Sequence, residues 1–168
     1  SGRLSRSGGM DVVLVDRRAL TLQKNLLGLK GVLDQFVQRG GHLIILSQDA
    51  PTWNAQPLMP AIMLERSLSF SPEMSLALDS LHSSIMSPNN LTNEDWSNWL
   101  YRAAFNNVRL TSSADVEVLI KDRATGNPHV VTQRLGKGLA TYIDLDLQHQ
   151  WMNIHAGALR LLANLLAR

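Results

Sequence analysis

The sequence contains no cysteine. That excludes disulfides, thiolate zinc sites and every form of thiol catalysis, and it leaves the compartment open between cytosol and periplasm. No apolar run approaches the roughly 20 residues needed to cross a bilayer as a helix. Charge is sparse as well, at 18% of residues and a formal net of +2. The basic residues are scattered along the chain, so no concentrated basic face for nucleic acid is expected. Histidines never fall at His-x-His or His-x-x-x-His spacing, and no Gly-rich turn of the phosphate-cradling kind is present, so neither metal nor cofactor is expected.

What is present is the composition of one globular domain: 168 residues, 45% of them hydrophobic, enough for one core and too few for two comfortable ones. Residues 1–9 are polar and rich in Gly and Ser, and read as a flexible leader or linker before a domain spanning 10–168. The run from Met10 to Asp16 is short, β-branched and apolar, as a buried parallel strand is. From Leu22 to Arg39 the apolar residues fall at helical spacing, with Leu22, Leu26, Leu29, Val32, Leu33, Phe36 and Val37 on one broad face. Gly40-Gly41 ends that helix, and His42 to Ser47 forms a second buried strand. The first fifty residues therefore spell β-α-β, with the right-handed crossover such units adopt.

Gln48 to Met86 is irregular, interrupted by four prolines, with short strands expected near Ser67 to Phe70 and Met74 to Leu78. Thr92 followed by Asn93, Glu94 and Asp95 predicts a helix start. Trp96, Trp99, Leu100 and Ala103 form its apolar stripe, and it ends near Asn106-Asn107. Val116 to Lys121, His129 to Arg134 and Leu139 to Leu145 read as an antiparallel meander. Ala156 to Ala167 is a closing helix in which Leu159, Leu162, Ala163 and Leu166 bury together.

Three stretches, taken together, resemble class I glutamine amidotransferase-like domains. They are Asp11 to Ser47, Gly136 to Ile143 with Gly157 to Leu166, and, between them, His82 and Ser87 to Trp99. The last is similar to a segment of the amidotransferase-like domains appended to LmbE/PIG-L-type sugar deacetylases. The resemblance implies a three-layer, flavodoxin-like α/β fold with a mainly parallel sheet, ending here in the antiparallel meander. It also implies a departure from the family's chemistry. The turn that bears the family's catalytic cysteine reads Ser47-Gln48-Asp49, and its His-x-Glu pair is replaced by Asp146 and Gln148. The leading β-α of such folds is absent or reduced, which reads as a piece of a longer chain. The deacetylase metal motif is absent too, so any deacetylation belongs to another domain.

Ligands of open parallel sheets bind beyond the carboxyl ends of the strands. That rule selects Asp16 and Arg17 after the first strand. It predicts a ligand site bordered by Ser47, Gln48, Asp49 and Trp53 on one side, and by Asp146, Gln148, His149 and Trp151 on the other. Polar groups beside two indole faces suit a polyhydroxylated ligand, a glycan, better than a phosphate. The commoner fate of such polar residues is to cap strand ends, and of tryptophans to pin loops. A hydrolase would need Ser47 as nucleophile and His149 as base, oriented by Asp49 or Asp146, yet no G-x-S-x-G elbow surrounds Ser47. A metal held by Asp49, Asp146 and His149 is the other alternative. The domain alone is therefore expected to be non-catalytic: an accessory or interaction module whose partners are other domains of a larger, carbohydrate-active polypeptide. Self-association through an open sheet edge is the third possibility. His42, His129 and His155, at the starts of strands and a helix, are expected to be structural.

Overall fold

A computed structural model describes residues 11–68 and 85–168 of the chain. Strand β1 (Val12–Val15) lies parallel to β2 (His42–Leu46), with Val12 opposite His42 and Val15 opposite Ile45. This is the β-α-β unit expected from the first fifty residues. On its other side β2 runs parallel to β7 (Gly138–Ile143). The meander follows: β7 pairs antiparallel with β6 (Pro128–Leu135), and β6 with β5 (Val116–Lys121), with a register shift after Val118. The five-stranded order is β1-β2-β7-β6-β5, in which β6 alone opposes the other strands.

Period-two alternation along β2 builds two cores. Leu43 and Ile45 face one side with Val37, Trp53, Leu58 and Tyr142. Ile44 and Leu46 face the other with Ile143, Ala158, Leu161 and Leu165. Every residue of β2 is buried, as a parallel strand covered on both faces must be. Each fully buried leucine or isoleucine contributes about 1.5–3 kcal/mol, so the two faces together hold β2 at the centre of the structure.

The single helix predicted over Leu22 to Arg39 is instead three short ones: α1 (Ala19–Leu22), α2 (Lys24–Gly28) and α3 (Lys30–Gln38). Gln23 and Leu29 leave helical geometry at the joints. Gly28 and Gly31 weaken the region by about 1 kcal/mol each relative to alanine. The breaks rotate the apolar stripe, so Leu22, Leu29 and Val32 are 69%, 50% and 62% exposed, while Leu26, Leu33, Phe36 and Val37 pack on the core. Gly40 does end α3, at φ 113°, a backbone region costly for any residue with a Cβ.

The stretch after β2 is more regular than predicted. It holds α4 (Ala50–Ala55) and β3 (Ile62–Arg66), which pairs antiparallel with β4 (Asn106–Leu110) in a separate two-stranded sheet. The helix predicted from Thr92 to Asn106 is one 3-10 turn, Asn93–Trp96. Its start is as expected: the Thr92 amide and hydroxyl both donate to the Asp95 carboxylate, at 2.7 and 3.2 Å. Left-handed backbone at Asn98 and Tyr101 stops it, and Asn106-Asn107 opens a strand. Trp99 is buried and Trp96 half-buried, both on the second core, as expected of that stripe. Residues 69–84 lie outside the described residues, and with them His82, the strand expected near Met74 to Leu78 and half of that near Ser67 to Phe70; the leader at 1–9 lies outside as well.

A short helix, α5 (Leu147–Met152), follows β7, and α6 (Ala156–Leu166) closes the chain from an N-cap at His155. The buried face of α6 is not the one expected. Gly157, Ala158, Leu161, Asn164 and Leu165 point inward, whereas Leu159 is 40% exposed and Leu166 is exposed too. A Cβ at position 157 would sit 2.1 Å from the Asp95 carbonyl oxygen, so the glycine sets which face can touch the 3-10 turn.

Candidate functional site

The carboxyl ends of β1, β2 and β7 meet at one edge of the sheet, where an open crevice of about 1160 Å³ lies. Ser47, Gln48, Asp49, Asp146 and His149 all line it, so the strand-end rule brings together residues that are far apart in sequence. The polar side chains at its base are largely committed to holding the strand ends. The Ser47 hydroxyl donates to the Asp144 carbonyl at 2.9 Å and lies 3.3 Å from that of Ile143, tying β2 to β7. Gln48 ties β2 to β1: its Nε2 donates to the Asp16 and Leu46 carbonyls, and its Oε1 accepts from the Leu20 amide. Asp49 pairs with Arg18 Nε at 3.0 Å.

Asp146 and His149 form a dyad. His149 Nδ1 lies 2.6 Å from Asp146 Oδ2; a carboxylate accepts, so Nδ1 carries a proton and Nε2 is the nitrogen left to accept. The Asp146 side chain has no exposure and its Oδ1 has no partner among the described residues, while His149 is 32% exposed. The hydroxyl of Ser47 is turned to backbone carbonyls and makes no hydrogen bond to His149, so the three do not form a Ser-His-Asp arrangement. Asp49, held by Arg18, does not join the dyad either. Among the described residues no group of three or more side chains is placed to hold a metal.

The predicted indole walls are the main correction. Trp53 has no exposure at all: its ring lies 5.0 Å from that of Tyr142 and its Nε1 donates to the Ile62 carbonyl at 3.2 Å. It belongs to the core beneath α4 because a large aromatic gains more from burial than from stacking on solvent. Trp151 is half-buried, donates to the Ala158 carbonyl at 3.3 Å and packs on the second core, away from the crevice wall. Gln148 reaches the site through Arg17, whose Nε donates to its Oε1 at 2.7 Å.

The aromatic faces come instead from Tyr101 and Phe105, in a segment read from the sequence as helix. Several tethers fix that segment over the end of β7. The Leu100 amide and carbonyl exchange hydrogen bonds with the Gln150 side chain at 3.1 and 3.0 Å. The Asp146 amide donates to the Ala103 carbonyl at 3.0 Å, and Ala104 bridges to Leu145. Tyr101 stands 65% exposed with its ring 4.6 Å from that of His149. Arg17 and Arg102 both lie over the Phe105 ring, at 5.0 and 5.1 Å. Arg66 completes the cationic wall.

Beneath Phe105 sits Asp144, fully buried and not anticipated from the sequence. Its carboxylate accepts from the Phe105 and Asn106 amides, Asn106 Nδ2 and the Tyr142 hydroxyl. Burial pushes its pKa up to about 7 against the pull of those donors. Burial and the neighbouring Asp144 likewise push the Tyr142 hydroxyl well up. Two residues of the crevice, Arg18 and Tyr101, hold left-handed backbone at φ 57° and 68°, a strain that side chains usually bear at sites where their placement matters.

Searched against known protein families the sequence finds no match, and no curated protein is significantly similar to it. Solved structures share the fold. The cytoplasmic protein STM3548 from Salmonella typhimurium is 14% identical at a TM-score of 0.59, over 93% of this chain and 70% of that one. An exo-β-1,4-mannosidase from Opitutaceae bacterium strain TAV5 is 14% identical at a TM-score of 0.53, over 94% of this chain and 25% of its own. A cold-adapted β-galactosidase from Rahnella sp. R3 is 22% identical at 0.52, over 91% of this chain and 22% of that one. The chain thus spans about a quarter of the length of the two glycosidases it resembles.

Proposed function

We propose that this domain is a non-catalytic accessory module of a larger carbohydrate-active protein, and that its crevice holds a polyhydroxylated ligand. One observation carries the reading: at the strand-end crevice the serine in the nucleophile's place spends its proton on backbone carbonyls, while ring faces and free hydrogen-bonding groups line the wall above it. An exposed tyrosine ring offers a stacking face, and His149 Nε2 offers an acceptor to a sugar hydroxyl. Two of the structural neighbours are glycosidases in which this fold makes up a small part of the chain, which supports a carbohydrate setting.

The finer fold reading is that of a flavodoxin-like, class I amidotransferase-like domain that has lost its triad, joined to a sugar deacetylase. It draws support from β1, β2 and β7 running parallel, with Ser47 on the turn after β2 and Asp146 just beyond β7. The Asp146–His149 dyad favours a second reading, in which His149 acts as a general base on water in a hydrolase.

The test of the proposal is a neutral glycan panel followed by chemical shifts of Tyr101, Phe105 and His149, with Tyr101→Ala as control. Weak saturable binding, lost in Tyr101→Ala, is expected, since such open polar surfaces bind weakly. A serine-directed probe should leave Ser47 unlabelled. Hydrolysis of a panel member that disappears in His149→Ala would replace the accessory reading with the hydrolase one.

A further inference from the structure

We infer that the ligand of this crevice bears a carboxylate, so that the saccharide is an acidic one, with Arg17 and Arg66 as its anion-binding residues. The inference rests on the ligand-binding reading above and adds a charge to it.

Among the described residues the wall carries four arginines, Arg17, Arg18, Arg66 and Arg102, against two carboxylates, Asp49 and Asp146. Both carboxylates are already taken. Asp49 is paired with Arg18, and Asp146 is fully buried against His149. Arg17 and Arg66 have no acidic partner among the described residues. A wall with its acids internally matched and two cations unmatched presents net positive charge to whatever enters.

Arg17 is also held in a way that suits a ligand. Its Nε is spent on Gln148 and its guanidinium plane is supported by the Phe105 ring. Those contacts fix the side chain while leaving both terminal nitrogens for an end-on, bidentate carboxylate. The rotamer entropy of the arginine is already lost before binding, which is the general advantage of a preorganised site. A phosphate fits less well. Among the described residues no glycine lines the crevice, and the Asp49 carboxylate at the start of α4 faces the same space, opposing a dianion more than a monoanion. Beside the cations, the exposed Tyr101 ring and His149 Nε2 serve the sugar's apolar face and its hydroxyls.

The experiment is a titration of the full chain at low ionic strength, followed by calorimetry and by Tyr101 and Phe105 shifts. The probes are oligogalacturonate and a glucuronate-containing tetrasaccharide, neutral galactose oligomers of equal length, sodium acetate, inorganic phosphate and sulfate. An acidic oligosaccharide should bind roughly 10- to 100-fold more tightly than its neutral counterpart, the scale of one charge-assisted hydrogen-bond pair. Arg17→Gln and Arg66→Gln should each remove most of that difference. Arg109→Gln, which breaks an exposed pair with Glu65 outside the crevice, should leave it. Arg66 is exposed, so its variant tests charge without disturbing packing. Equal binding of neutral and acidic oligomers would overturn the carboxylate and leave the polyhydroxylated ligand standing. Phosphate or sulfate binding as tightly as the acidic oligosaccharide would replace it with a generic anion site. If no saccharide of either charge moves Tyr101 or Phe105 at millimolar concentration, both readings fail together.

Discussion

Asp144, just beyond the end of β7, and His42, at the start of the neighbouring β2, titrate in opposite senses. Burial raises Asp144 to about 7 and lowers His42 to about 4, the latter helped by the charge of Arg168. A raised carboxyl lends stability that is complete below the ordinary aspartate range and is lost as pH climbs through about 7. A lowered imidazole lends stability that is complete above its ordinary value of 6.5 and is lost as pH falls through about 4. His129, also lowered by burial, acts on the side of His42. Between pH 4 and 7 the carboxyl and the imidazoles therefore oppose one another, Asp144 and His42 each with a leverage on the order of a few kcal/mol. Read from urea midpoints, the stability of the native chain should fall relative to that of Asp144→Asn, whose side chain stays neutral, as pH rises from 4 to 7. A difference that stays constant with pH would show that Asp144 is ionised throughout.

At the level of elements, the five-stranded sheet and the closing helix were readable, whereas β3, β4 and the helices between β1 and β2 were not. β1, β2 and the meander announced themselves because their apolar residues are consecutive and their turns carry glycine, signals that tertiary context does not override. In α6 the sequence offers leucines all round the helix, and the face is chosen by residues that apolar patterning ignores. Gly157 permits contact with the Asp95 backbone, and Asn164 anchors the 85–89 segment by donating to the Ile85 and Asn89 carbonyls and accepting from the Asn89 amide. Asn164→Ala should thus cost about 2–4 kcal/mol, because it strands buried backbone groups. Leu159→Ala should cost under about 1 kcal/mol, Leu159 being on the exposed side. Chemical denaturation of the two variants checks the order, which the apolar pattern alone predicts in reverse. The site divides in the same way. Its strand-end residues follow from the fold rule, whereas Tyr101, Phe105 and Arg66 were hidden because long-range tethers, to Gln150 and Asp144 above all, set the path of their segments.

For the molecule as a whole, two cores share one set of strands. Leu43 and Ile45 belong to one face of β2, Ile44 and Leu46 to the other, so neither core can dissolve without releasing the other. Methyl resonances of these four residues, followed through urea, should lose their native signals at one midpoint, as a single cooperative unit does. Two separated midpoints would mean that the faces melt independently. The strand order also has a kinetic side. β7, which begins at Gly138, is inserted between β2 and β6, so the middle of the sheet is supplied by residues that leave the ribosome long after β2, which ends at Leu46. Until then β2, apolar on both sides, has only β1 as a neighbour, and its other edge stands open to any extended chain nearby. Closing so distant a pairing is slow, and a nascent chain halted before Gly138 is a species that needs a chaperone rather than a shortened version of the folded domain.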